Sequence, residues 1–280
     1  MWVFLILLVL VILIISTITD LKSREVPDWL SYSAIVAGFG ARLIWSAYSW
    51  DYHPILDGAV GFSVFFILAC ALYYLGQWGG GDSKLLMAIG VCLGLNLDMN
   101  HVILAFVINA IWLGGVYGLF WSIYLAVKNW VKFKEEYKTQ LKKHKFVRFI
   151  PLAVLLVIVV LSFILDLNPV LEALLIVMVV FIPLMFYVSV FVRVVDLVAM
   201  RKFVSPSEIT EGDWVVNDIV VNKKRLCGPK DLGISLKQIA ELKKYHIRRV
   251  LIKVGIPFVP ALLLAYLFTL FFGNPLFWLV

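Results

Sequence analysis

Apolar stretches of membrane-spanning length recur along this chain, and that recurrence narrows its fold more than any other feature. They cover about 2–19, 29–49, 54–76, 83–98, 101–127, 149–166, 169–193 and 250–272. A helix needs roughly 20 apolar residues to cross the hydrocarbon layer of a bilayer. Lipid offers no partner to backbone N–H and C=O groups, so each such run must close its own hydrogen bonds as a helix. The composition agrees, with 62% hydrophobic and 15% charged residues, where soluble domains carry about 25% charged residues. The expected fold is an all-α polytopic membrane protein of about eight transmembrane helices, with a small cytoplasmic α+β insertion before the last helix.

Charge orients the helices. Met1–Ile15 lacks the positive n-region and cleavage site of a signal peptide, and the first basic residues, Lys22 and Arg24, follow the apolar run. The N-terminus is therefore expected outside, which puts segments 20–28, 77–82, 128–148 and 194–249 in the cytoplasm. Lysine and arginine concentrate in the first, third and fourth of these and are missing from the outer loops 50–53, 99–100, 167–168 and 273–280. This asymmetry follows the positive-inside rule. Arg42 alone stays within a span.

Between two apolar runs, Ile55–Leu75 and Leu85–Leu97, stands Leu75-Gly76-Gln77-Trp78-Gly79-Gly80-Gly81-Asp82-Ser83-Lys84. Each glycine costs a helix roughly 1 kcal/mol relative to Ala. In exchange the backbone gains freedom of dihedral angle and room for another backbone to approach. Asp82 opens a short apolar helix, and an ionisable group at that depth is costly enough to be read as functional. A simple N-cap is the bland alternative. A second carboxylate, Asp20, ends the first span on the same predicted side. Two carboxylates held together share a proton: the ionised one acts as base toward a water, and the protonated one donates to the carbonyl under attack. Gly79, Gly80 and Gly81 offer unobstructed backbone to an extended peptide.

The rest of the sequence supplies setting. Trp130, Phe133, Tyr137 and Leu141 share a helical face within the basic loop 128–148 and read as an amphipathic helix on the inner leaflet. A partner-docking surface is the alternative. In 199–249, Trp214–Val221 has strand character, and Ser235-Leu236-Lys237-Gln238 is a capping-box pattern opening a helix to about Tyr245. Cys70, Cys92 and Cys227 form no zinc-like pair, and the scattered histidines suggest no ligand set. No metal, cofactor or nucleic acid is expected.

Gly79-x-Gly81-Asp82 resembles the Gly-x-Gly-Asp signature of membrane aspartic proteases. With Asp20 ending the first span, it is similar to the type IV prepilin peptidase and archaeal preflagellin peptidase family. Asp20-Leu21-Lys22-Ser23-Arg24-Glu25-Val26-Pro27-Asp28 resembles that family's first-aspartate segment, and Ile256-Pro257-Phe258-Val259-Pro260-Ala261-Leu262 its proline-containing motif near the site. The resemblance implies a membrane aspartic endopeptidase with Asp20 and Asp82 as catalytic pair. Its substrate would be a pilin or archaellin precursor, cut where a short basic cytoplasmic leader meets an apolar helix. Glu25 and Asp28 would attract the leader's basic residues, or simply offset Lys22 and Arg24. The paired cysteine motifs of many bacterial members are absent, which argues against an N-methyltransferase activity. Presenilin and signal peptide peptidase place their first aspartate on the preceding helix and fit less well. An ion-coupled transporter built on a glycine break is the reading from another class. The expected divisions are a catalytic core 1–127, a basic loop 128–148, two helices in 149–193, a soluble region 194–249 and a last helix 250–272.

Overall fold

Buried residues run down one stripe of α1 (Trp2–Ser23): Leu5, Val9, Ile12, Leu13, Ser16 and finally Asp20. That is the helical period, so the same face that packs the core also delivers Asp20 to it. The computed structural model describes residues 1–95, 102–143, 149–164 and 169–274. After α1 come α2 (Asp28–Ser49), α3 (His53–Tyr74), α4 (Gly80–Leu93), α5 (Val102–Lys128), α6 (Trp130–Lys143), α7 (Ile150–Ile164) and α8 (Pro169–Ala199). Then follow β1 (Arg201–Val204), β2 (Trp214–Val215), β3 (Ile219–Val221), β4 (Lys224–Cys227), α9 (Leu236–Lys244), β5 (Val250–Lys253) and α10 (Val259–Phe272). Each expected span has its helix. Among the described residues, the four helices at Trp2–Ser23, His53–Tyr74, Val102–Lys128 and Ala173–Ala199 are long and apolar enough to cross a membrane. The chain is a polytopic helical membrane protein with a strand-containing insertion.

Two compact units divide the chain: Met1–Phe120 with Phe203–Val280, and Trp121–Lys202. The boundaries differ from those read in the sequence, since the first cut falls inside α5 and the strand-containing region shares a unit with the membrane core. The last helix opens at Val259, not 250. Val250–Lys253 forms a strand, because its apolar Val250 and Ile252 alternate toward a small core and not toward lipid.

In the first unit the core draws on α1, α2, α3, α4, α5 and α10. Helix α4 lies in its middle, with Leu85, Ala88, Ile89, Val91 and Cys92 fully buried. Its close neighbour is α3. A Cβ on Gly90 would stand 2.7 Å from the Gly61 carbonyl oxygen, so the two backbones touch as small-residue membrane crossings do. At 14 residues, α4 rises only about 21 Å. Its C-terminal end is therefore buried, and Arg42 of α2 answers its orphan carbonyls. Arg42 Nε donates to Val91 O at 2.7 Å, Nη2 to Cys92 O at 2.8 Å and Nη1 to Pro54 O at 2.8 Å. Asn109 joins α5 to α10 by donating to Thr269 Oγ1 at 2.9 Å and Gly273 O at 3.0 Å.

Strands β1, β5 and β2 form a sheet in that order, and β3 pairs with β4. Together with α9 they enclose Val204, Val215, Leu226, Cys227, Ile234, Ile239, Leu242, Val250 and Ile252. Helix α9 carries the predicted capping box, with Ser235 as N-cap and Gln238 answering it. In the second unit, Phe133 of α6 is buried against Val190, Val194 and Val195 of α8, with Tyr137 and Leu141 beside it. Most of the aromatic face expected on the inner leaflet thus meets protein, because α8 offers it a β-branched surface, while Trp130 stays exposed.

Candidate functional site

Both aspartates are set by helix ends. Asp20 closes the buried stripe of α1 and is 5% exposed. Its Oδ2 accepts the Val259 N–H at 3.0 Å, with the Phe258 N–H close by. The N-cap of α10, Phe258, has no capping side chain, and Pro260 has no N–H. The free donors that every helix leaves at its N-terminus are therefore served by Asp20 from another helix. This is where the Pro257-Phe258-Val259-Pro260 motif folds back, as its resemblance implied.

Asp82 is the third residue of α4. Gly79 is the N-cap, in extended geometry with φ −73° and ψ 164°. The Asp82 carboxylate lies near the Gly79 N–H. Ser83 secures the same turn, its Oγ donating to Gly79 O at 3.0 Å. The two carboxylates lie near enough for Asp20 to repel Asp82. Asp82 is half-buried while Asp20 is buried.

The glycines differ from expectation in one respect. None of Gly79, Gly80 and Gly81 has a positive φ; in this loop only Gly76 does, at 66°. What Gly81 supplies is space. A Cβ there would lie 3.1 Å from Val26 Cβ and 3.2 Å from both Val26 N and O. Val26 belongs to the turn between α1 and α2, so Gly81 lets the two aspartate segments meet. A Cβ on Gly80 would meet nothing closer than Tyr73 Cε2 at 3.9 Å.

A cavity of about 750 Å³ opens at this point, lined by Glu25, Asp28, Gly79, Gly80, Gly81 and Asp82, and by Arg24, Tyr73 and Lys84. All the sequence-derived site residues but Asp20 line it; Asp20 stays behind the wall, on the α10 N-terminus. Asp28 is engaged by Lys84, whose Nζ lies 2.6 Å from Asp28 Oδ2. An exposed pair of this kind contributes at most about 1 kcal/mol, so Asp28 can exchange partners. Glu25 is exposed. The far wall was not foreseen: Thr210, Glu211, Gly212, Asp213, Trp214 and Leu232 come from the strand-containing region. No sequence pattern joins residues so distant, although Trp214 at the head of a strand was a visible anchor. Among the described residues no cluster of ligating side chains suits a metal.

Fold and site define a polytopic membrane protein whose first and fourth helices carry two aspartates, Asp82 in the lining of a cavity and Asp20 behind its wall. Residues 7–119, which hold both aspartates, match the type IV leader peptidase family. The chain is 33% identical over 121 residues to a preflagellin peptidase of Methanocaldococcus jannaschii, covering 41% of this chain and 51% of that relative. It is 33% identical over 78 residues to the preflagellin peptidase of Methanococcus voltae, 28% of this chain and 33% of the relative. For that of Methanococcus maripaludis the figures are 31% over 101 residues, 32% and 44%. The family resemblance carried by the aspartate motifs therefore stands, while the chain spans about half or less of the length of these curated relatives. No solved structure matches the chain significantly.

Proposed function

We propose that this chain is a membrane aspartic endopeptidase that removes the short basic leader from a pilin or archaellin precursor at the cytoplasmic membrane face. One observation carries the reading: Asp20 and Asp82, from separate helices of a segment similar to type IV leader peptidases, lie within electrostatic reach beside a glycine-floored cavity. In the proposed cycle one carboxylate of the pair is ionised and takes a proton from water as that water attacks the scissile carbonyl. The other donates to the carbonyl oxygen, and the pair then protonates the leaving amine. Asp20 reaches the same peptide bond by exchanging the Val259 N–H for water or substrate. The precursor's apolar helix stays in lipid, and its basic leader lies along the cavity, drawn by Glu25 and Asp28.

Co-expression with archaellin and pilin precursors, read as a gel shift, tests the reading. Asp20→Asn and Asp82→Asn are each expected to abolish the shift while the protein still accumulates in the membrane. Glu at either position is expected to fail as well, since an added methylene moves the carboxyl by about 1 Å, enough to cost roughly 100-fold in rate. Cleavage retained by either Asn variant removes that aspartate from the mechanism.

A further inference from the structure

Residues 201–253 look like an appendage in the sequence, yet they complete the cavity. Within β2, Val215 is buried in the core of this region at 6% exposure. Alternation along a strand then sends Trp214 to the opposite face. There the indole covers Gly76: a Cβ on Gly76 would stand 3.0 Å from Trp214 Cη2 and 3.4 Å from Cζ3. The register of β2 on β5, Trp214 opposite Lys253 and Val215 opposite Ile252, holds the ring in place. Tyr73 Oη adds a bond to Leu232 O at 3.4 Å.

Gly76 is no ordinary loop residue. The Gly76 N–H bonds Tyr73 O at 2.9 Å and the Gln77 N–H bonds Leu72 O at 2.9 Å. With φ at 66°, this is the Schellman ending of α3, which requires a left-handed residue. Three residues later the chain reaches Gly79, on which a Cβ would stand 3.8 Å from Asp82 Oδ2. Between them, Trp78 rests on Phe258, ring centroids 5.3 Å apart, and Phe258 precedes the Val259 N–H bound by Asp20. A single short loop thus touches the Trp214 ring at its start, the Asp20 anchor in its middle and Asp82 at its end.

We infer that Trp214 is a positioning residue for the dyad, seating the Gly76–Gly79 turn and with it Asp82, and that 210–214 forms the wall of the substrate cavity facing the 25–28 turn. The inference rests on the peptidase reading and adds to it a function for the strand-containing region. That region is then part of the active site and not a tether.

The test is steady-state cleavage of a precursor with a short basic leader, normalised to membrane-inserted enzyme. Trp214→Ala is expected to lower kcat roughly ten-fold or more, as a displaced catalytic group does, with KM changed by less than about three-fold. Trp214→Phe, which keeps a flat ring over Gly76, is expected to restore most of kcat. Gly76→Ala is expected to slow cleavage too, and the double variant to be no worse than the poorer single one, because both act through one contact. An unaltered chain that cleaves no precursor overturns the peptidase reading and this inference with it. If the unaltered chain cleaves, an unchanged kcat in Trp214→Ala overturns the inference alone. So does a Phe variant as poor as the Ala variant, or a fully multiplicative double variant.

Discussion

Gly81 stands immediately before Asp82 and against Val26, and a methyl group added there would have to push that turn away. The contacts of 3.1–3.2 Å are to backbone and a branched Cβ, which yield poorly. Either the turn after Asp20 or the first turn of α4 must move, and both carry an aspartate segment. Gly81→Ala is therefore expected to lower cleavage roughly ten-fold or more, with Asp82 present and the protein inserted. Gly80→Ala, whose Cβ would make only an ordinary contact with Tyr73 at 3.9 Å, is expected to stay near the unaltered rate. Gly79→Ala should fall between, since its Cβ would stand 3.8 Å from Asp82 Oδ2. Cleavage rates for the three single variants at matched membrane levels check the order, and three equal rates would reject this role for Gly81. The sequence pointed to the same residue for two reasons, close backbone approach and unusual dihedrals, and only the first holds at Gly81. A backbone angle cannot be read from a glycine run, nor can its cross-chain neighbour.

Helix α4 shows how an element only 14 residues long presents an aspartate at one end: its other end is held from below by Arg42. That side chain is fully buried, and its three bonds answer carbonyls of Val91, Cys92 and Pro54. Arg42→Met keeps the stem but strands those carbonyls, at about 1–3 kcal/mol for each buried group left unsatisfied. A clear fall in the melting temperature of detergent-solubilised protein is expected, with cleavage lost alongside; an unchanged melting temperature would show that water replaces the guanidinium. A second element, the β3–β4 pair with the turn before α9, is expected to respond to acid. Burial pushes the Asp231 carboxyl up, but the Arg225 guanidinium, the Gly228 N–H and Gln238 together hold it below the usual carboxylate range. A depressed folded value means stability that is full above the unfolded pKa of about 3.9 and lost as pH falls through the folded one. Hydrogen-exchange protection in 224–238, corrected for the intrinsic rate, should therefore fall below about pH 4, and Asp231→Asn should flatten that dependence. Helices and their order were legible because apolar period and length suffice to mark a helix in lipid. Arg42 was legible only as an oddity, since its partners lie 49 and 50 residues away on another helix. The start of α10 was misplaced because Val250–Lys253 is as apolar as the span it precedes, and only sheet pairing tells the two apart.

For the molecule as a whole, the proposal stands or falls on which side of the membrane the cavity opens. A basic leader made in the cytoplasm meets the aspartates only if the turns at 20–28 and 77–82 face inward. The distribution of Lys and Arg predicts that orientation. Single cysteines at exposed positions make it measurable. Glu25→Cys, Thr139→Cys and Asn217→Cys are all exposed and all predicted inside; Tyr52→Cys, 65% exposed, is predicted outside. The native thiols interfere little. Cys92 and Cys227 are buried, and burial, with Asp231 nearby, pushes the Cys227 thiol up to about 11, so it stays protonated and unreactive at neutral pH. Cys70 is half-buried and is replaced by Ala in the background. An impermeant maleimide added to intact cells should label position 52 alone, and added to inverted vesicles it should label 25, 139 and 217. Position 217 carries most weight, because it reports the strand-containing region that closes the cavity over Asp82. Labelling of 52 from the cytoplasm, or of 25 or 217 from outside, would put the leader and the dyad on opposite sides of the bilayer, and the peptidase reading would have to be given up.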